Sequence, residues 1–372
     1  MTLKVKAEGR KIQMHRRLLI PGPTEVGREV LQEQTRLMIG HRSKEFSTLY
    51  NGITDKIAKF FELPADYKPT TTTSSGTLWF DIIGRSIIKK KALCCINGVF
   101  SQRFGEIVRS CGKEVDFLEV DWGKVAKPQM VAETLETGQY DTVTMCHNES
   151  STGARSPVAE VGTLIRKDYP DVLFAVDSVS SMGGDWTLPH EMGVDILFAS
   201  TQKCFALPPG LAIALVNDKA LERAKEVPNR GGYTDILDIF EFEKKHQTPF
   251  TPNVSLLFAL NKRLDLMLAE TYPNIYQRHK DMSELTQKWA KTHFEMFPEK
   301  GYESITVSCI KNTQGKNVKD LNQNLGSRGY EISNGYGKLA EKTFRIGHMG
   351  EWTVEGIQQA LNAIDEIWSL EN

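Results

Sequence analysis

Residues 194–210 read Val-Asp-Ile-Leu-Phe-Ala-Ser-Thr-Gln-Lys-Cys-Phe-Ala-Leu-Pro-Pro-Gly, an apolar run of strand length followed at once by a lysine and then by a turn. The run Val194 to Ala199 predicts a buried strand, so Lys203 falls just past its end. Pro208, Pro209 and Gly210 keep a helix from starting behind it, and the chain must turn among Cys204, Phe205, Ala206 and Leu207. An ammonium held in such a place is partly desolvated, which lowers its pKa and makes it a usable amine nucleophile. A lysine that snorkels from a strand end to solvent fits the same stretch, so the rest of the chain has to decide.

Similar apolar runs recur at Ala92 to Ile96, Val115 to Val120, Thr142 to Cys146, Val172 to Val176 and Leu211 to Val216, separated by helix-like segments. That rhythm predicts βαβ units and a mostly parallel sheet with helices on its faces. The pattern changes after Asn253 to long amphipathic helices near 254–270 and 275–297. It ends with strands near 304–310 and 344–347 and helices near 318–327 and 353–370. The expected organisation is an α/β large domain over 18–270, preceded by an N-terminal arm at 1–17. A smaller C-terminal α+β domain occupies 271–372.

Composition narrows the chemistry. The 372 residues carry 46 basic against 47 acidic side chains, a formal charge of -1, which points away from nucleic acid and from a polybasic membrane surface. Six cysteines include no CxxC pair and no Cys/His ligand spacing, so neither a zinc site nor a disulfide framework is expected. No run reaches the length of a membrane span and no signal-peptide core is present, and the expected compartment is the cytoplasm.

In an open parallel sheet, ligands bind beyond the carboxyl ends of the strands, and here each run ends in polar residues. Asp177 follows Val172 to Val176, and a buried carboxylate there needs a cationic partner such as a protonated pyridine nitrogen; an N-cap or turn aspartate is the competing reading. Ser75-Gly76-Thr77 opens a helix-like segment and suits a phosphate, because unpaired N–H groups and the helix dipole both favour negative charge. Ser150, in His147-Asn148-Glu149-Ser150-Ser151, follows another run. Phe100 follows a further one, placed either to stack on a flat ring or to serve as core. A lysine, an aspartate, a phosphate cradle and an aromatic at the ends of one sheet are the four parts a pyridoxal phosphate site requires.

These motifs resemble those of the class V, fold type I pyridoxal-phosphate-dependent aminotransferases, in particular the alanine–glyoxylate/serine–pyruvate group. The likeness covers nearly the whole chain, from Leu19-Ile20-Pro21-Gly22-Pro23-Thr24 and Met38-Ile39-Gly40-His41-Arg42-Ser43 to Phe344-Arg345-Ile346-Gly347-His348-Met349-Gly350. Asn148-Glu149-Ser150-Ser151-Thr152-Gly153, Val176-Asp177-Ser178-Val179-Ser180-Ser181 and Ser200-Thr201-Gln202-Lys203 are its most specific parts. The resemblance implies that Lys203 carries pyridoxal 5'-phosphate as a Schiff base and that Asp177 pairs with its ring nitrogen. It further implies that Ser75, Gly76, Thr77 and Gln202 hold the phosphate, Ser150 the phenolic oxygen, and Phe100 the ring face. Thr251 would reach the phosphate of a neighbouring subunit in a homodimer with shared active sites, and Arg345 would clamp the substrate carboxylate. Family members often carry Trp where Phe100 stands, and a tyrosine that usually assists Thr251 is replaced by Thr248.

The implied reaction is transamination between alanine, serine or aspartate and glyoxylate, pyruvate or 2-oxoglutarate. Phosphoserine aminotransferases are the alternative, since they use a pair like His41-Arg42 from the partner subunit on the substrate phosphate, which makes Arg42 a candidate substrate ligand. Their second His-Arg pair is replaced here by Gly335-Tyr336-Gly337-Lys338, which favours small unphosphorylated substrates, although Lys338 leaves an anionic side chain open. A cysteine desulfurase would need a reactive cysteine on a mobile loop, whereas Cys309 lies in strand-like surroundings.

Overall fold

The computed structural model describes residues 15–370; most of the expected N-terminal arm, residues 1–14, lies outside them. The chain forms β1 (Arg17–Leu19), β2 (Tyr67–Thr72), β3 (Lys91–Ile96), β4 (Glu114–Glu119) and β5 (Thr142–Cys146). A hairpin of β6 (Asn148–Glu149) and β7 (Ala154–Arg155) precedes β8 (Leu173–Asp177), β9 (Ile196–Ser200) and β10 (Ala212–Asn217). The last four are β11 (Glu295–Met296), β12 (Val307–Lys311), β13 (Tyr330–Asn334) and β14 (Thr343–Gly347).

Seven strands make one sheet in the order β2-β10-β9-β8-β5-β3-β4, and β10 alone runs against its neighbours. Its strands read as unbroken apolar runs because both faces are buried. Leu93, Cys95, Val143, Met145, Phe174, Val176, Leu197 and Ala199 pack into one core. Their chain neighbours Ala92, Cys94, Ile96, Leu173, Ala175, Ile196 and Phe198 pack into the other. The period of two is therefore present, but it separates two apolar layers and not inside from outside. The edge strand β4 has no buried residue, and Glu114, Asp116 and Glu119 there discourage further pairing.

The second sheet has the order β1-β13-β14-β12-β11. Helices Tyr272–His293, Val318–Ser327 and Val354–Trp368 close its core around Trp289, Phe344 and Trp352. The structure differs from the sequence reading at 17–19, which are neither arm nor large domain. They pair in parallel with β13, Leu19 opposite Ile332, and Leu19 is buried in this second core. A three-residue strand carries no readable periodicity, and its partner lies at the far end of the chain. The helix expected from Ile275 begins at Tyr272, because Thr271 has a φ of +74° that ends helix Val254–Glu270, and Pro273 then stands in the new first turn. Among the described residues no helix is long and apolar enough to cross a membrane.

Phe198 of β9 links sheet to site. Its ring stacks on Trp79 at 6.3 Å and meets Phe80 and Phe104 edge-on at 5.7 and 5.9 Å. Those three rings belong to helices Thr77–Ser86 and Val99–Ser110, so the cluster fixes both helices against the strand that leads to Lys203. Phe198→Ala is expected to lower folding stability by about 3–5 kcal/mol through the cavity it leaves. A denaturant titration showing a loss below about 1 kcal/mol would mean that these helices are held elsewhere.

Candidate active site

Strands β2, β3, β5, β8 and β9 point their carboxyl ends at one cavity of about 210 Å³, lined among others by Ser75, Gly76, Thr77, Phe100, Ser150, Asp177, Gln202 and Lys203. Eight of the residues singled out from the sequence are thus brought together. Their positions follow from topology: Asp177 ends β8, Lys203 follows the adjacent β9, Ser150 follows β5, and Phe100 follows β3.

Lys203 is held by a segment from the other end of the chain. Its Nζ donates to the carbonyl of Pro21. Thr24 donates its N–H to the Gln202 carbonyl (3.1 Å) and its hydroxyl to the Lys203 carbonyl (2.9 Å). Gly22 has a φ of +110°, and a Cβ there would stand 2.5–2.8 Å from the Lys203 side chain, so only glycine lets the segment lie this close. Burial lowers the Lys203 pKa to about 8; nearby Arg345 pushes the same way, while Cys204 and Asp177 oppose it. A substantial fraction of neutral amine is therefore present near neutral pH.

Asp177 is buried, and its one recorded hydrogen bond to the carboxylate comes from the Val179 N–H at 2.8 Å. Desolvation raises its pKa to about 7, with Glu149 adding to the effect and Val179, Lys203 and Cys146 offsetting part of it. Such a carboxylate is short of a cation. Gln202 Oε1 and Asn148 Oδ1, also on the cavity wall, are buried acceptors without a partner.

The cradle at the start of helix Thr77–Ser86 is equally specific. Gly76 donates to Ser200 Oγ at 2.6 Å, and a Cβ on it would lie 2.6 Å from that oxygen and 2.7 Å from Val179 Cγ2. The hydroxyls of Ser75 and Thr77 make no hydrogen bond among the described residues, and they face the cavity with the helix N-terminus. An unpaired carboxylate, an amine of lowered pKa and an anion cradle fit the ring nitrogen, aldehyde and phosphate of pyridoxal 5'-phosphate.

Sequence reasoning missed what Glu149 does. Fully buried, it accepts from the amides of Phe100 (3.0 Å) and Ser101 (2.9 Å) and from the hydroxyl of Ser151 (2.6 Å). It is a carboxylate at the positive end of helix Val99–Ser110, joining the Ser150 hairpin to the helix that carries Phe100. No local signal marks it, because the helix it serves starts fifty residues earlier in the chain. Arg345 donates to the carbonyls of Ser150 (3.0 Å) and Asn334 (3.1 Å), and its guanidinium lies 5.4 Å from the Tyr336 ring centroid.

Two candidates are not brought to Lys203 within this chain. Arg42 spends its guanidinium on the carbonyls of Thr248 (2.6 Å) and Pro249 (3.0 Å) and on Gln247 Oε1 (3.2 Å), with Phe242 beneath it. It braces the turn that presents Thr251, and Thr251 itself is exposed beside Thr70 to Thr73. Lys338 also points away from the cavity, its ammonium 3.9 Å from the Trp122 ring centroid. Cys309 is buried in β12 with its thiol pushed up to about 12 by desolvation, which makes it inert.

Residues 27–344 match the family described as Aminotransferase class-V. An aminotransferase of Methanocaldococcus jannaschii is 40% identical over 90% of this chain and 87% of its own length. The L-aspartate–glyoxylate aminotransferase of Paracoccus denitrificans is 30% identical over 90% and 87%. Among solved structures, the alanine–glyoxylate aminotransferase of a Nostoc species superposes with a TM-score of 0.88 at 25% identity, covering 99% of this chain and 100% of that one.

With the cofactor absent, Lys203 is expected to titrate near 8. Labelling of its amine by an acylating reagent, followed peptide by peptide, should rise through that pH while surface lysines rise near about 10.4. A midpoint for Lys203 at the surface value would remove the basis for its tuning.

Proposed function

The chain belongs to the class V aminotransferase family, and from that premise we propose that it moves an amino group between a small amino acid, namely alanine, serine or aspartate, and glyoxylate, pyruvate or 2-oxoglutarate. The observation that carries this reading is the pairing of Lys203 and Asp177 in one cavity, an amine biased toward its neutral form beside a carboxylate lacking a cation.

Pyridoxal 5'-phosphate, when bound, supplies the electron sink that lets an amino acid lose its α-proton. Asp177 would pair with its ring nitrogen, Ser75, Gly76, Thr77 and Gln202 with its phosphate, and Phe100 and Ser150 with its ring. Lys203 carries the chemistry of this chain: its Nζ would hold the cofactor through the aldehyde and, when free, would take and return the substrate proton. Arg345 orients the substrate, since guanidinium matches a carboxylate with two parallel hydrogen bonds and its remaining N–H groups are not committed. Asp177 holds its negative charge better once a cation faces it, so ligand binding itself restores the ionised form.

The proposal extends to a homodimer with a composite phosphate site, acting in the cytoplasm, where six free cysteines stay reduced. Five of the six large hydrophobics exposed among the described residues, Leu31, Leu37, Met38, Tyr233 and Phe250, fall in segments 31–38 and 233–250, with Leu37 91% and Met38 66% exposed. Arg42 and Thr251 lie in or beside the same segments. Apolar groups gathered in this way favour burial against a second copy. A Leu37→Asp, Phe250→Asp double variant is expected to run as a monomer in light scattering, and an unchanged dimer would place the contact elsewhere.

For the reaction, the protein loaded with cofactor should show a visible absorption band that bleaches with L-alanine or L-aspartate and returns with glyoxylate. Lys203→Ala should abolish turnover with the fold intact, and Arg345→Ala should raise KM for every amino donor about a hundredfold. A band indifferent to L-alanine, L-serine and L-aspartate alike, or near-normal turnover by the Lys203 variant, would overturn the reading.

A further inference from the structure

One cation on the cavity wall has no assigned task. Arg103 lines the cavity together with Lys203, Asp177 and Ser150. Among the described residues its guanidinium makes no ion pair and no hydrogen bond; its one recorded contact is with the ring of Phe100, at 5.4 Å from the centroid. The acid nearest along its helix is engaged, since Glu106 accepts from Gln102 at 2.7 Å. Glu149, from the adjoining hairpin, is committed to the helix amides. A half-buried arginine so placed has lost part of its water without gaining an anion, and a ligand would supply one.

The rings beside it indicate which ligand. Phe100 lies 5.8 Å from Tyr336, centroid to centroid, and Tyr336 lies 5.4 Å from the guanidinium of Arg345. Arg103 and Arg345 therefore each lie over one ring of the same aromatic pair, Arg103 at Phe100 of the large domain and Arg345 at Tyr336 of the loop after β13. If Arg345 takes the α-carboxylate, the other end of a short substrate faces the second cation. The lysine that sequence alone offered for an acidic side chain, Lys338, is occupied with Trp122.

We propose that Arg103 is a specificity-determining residue that binds a second anionic group at the far end of the substrate side chain, selecting acidic amino acids and their oxo acids over alanine. This deepens the transaminase reading and rests on it. A carboxylate and a phosphate monoester share the required chemistry, so L-aspartate and O-phospho-L-serine are both used as probes beside L-alanine.

With glyoxylate as acceptor, Arg103→Leu is expected to raise KM for the acidic donor about ten- to hundredfold, the loss of one charged hydrogen-bonding partner, and to leave KM for alanine within about twofold. Arg103→Lys should recover part of the difference. The donor that shows the effect identifies the anion as carboxylate or phosphate. Equal changes for alanine and both acidic donors, no change for either acidic donor, or loss of cofactor from the variant with its substrate preference intact would each overturn the proposal.

Binding of succinate, measured by calorimetry on the cofactor-loaded protein against propionate as the monocarboxylate control, separates the two readings. Should no donor react with the wild-type protein, the transaminase reading falls, and the same calorimetry still decides on Arg103. Succinate should bind more tightly than propionate and lose that advantage in Arg103→Leu. Equal affinity in the wild-type protein would count against the proposal whatever the kinetics show.

Discussion

Two groups that water would keep fully charged, Lys203 and Asp177, line one cavity at the ends of adjacent strands. Desolvation moves both toward neutrality, the amine down to about 8 and the carboxyl up to about 7. Each is set by the same burial that makes the sheet stable, so tuning and folding have one physical origin. Lys203 relieves part of its cost on the Pro21 carbonyl, whereas Asp177 receives a single backbone N–H. The site is therefore left with an unfilled demand for positive charge, which a cationic ring nitrogen would meet.

Around that pair the fold supplies backbone dipoles in place of charged side chains. Helices Thr77–Ser86 and Val99–Ser110 both start at the cavity, and both are locked to β9 by the aromatic cluster around Phe198. The first start is left open as an anion cradle. The second is filled by Glu149, which uses it as a structural anchor. Two similar helix termini thus serve opposite purposes, and what separates them is whether an internal carboxylate reaches the amides.

The segment from Leu19 to Thr24 shows how the two sheets are coupled. Leu19 ends β1 in the second sheet, the Ile20 carbonyl packs so close to Gly347 of β14 that a Cβ there would stand 2.3 Å away, and Pro21 and Thr24 hold the Lys203 loop. Arg345 lies two residues before Gly347 on the same strand. Lys203 and Arg345 are thereby registered through the six residues from Leu19 to Thr24.

Much of this was legible in one dimension. Runs such as Leu-Phe-Ala-Val and Ile-Leu-Phe-Ala, each ended by a polar residue, determine buried parallel strands and put Asp177, Ser150, Phe100 and Lys203 at one edge, because strand direction and end chemistry are local properties. Motif resemblance added the family and an expected role for Arg345. Only the tertiary structure decided matters that depend on which distant groups meet. It turned Arg42 onto the 247–249 turn, put Lys338 over Trp122, buried Glu149 at a helix start, and moved residues 17–19 into the second sheet. It also left Arg103 on the cavity wall with no ion pair or hydrogen bond among the described residues. A charged side chain is committed or free according to what the folded chain brings within hydrogen-bonding reach, and nothing in its own neighbourhood along the sequence encodes that.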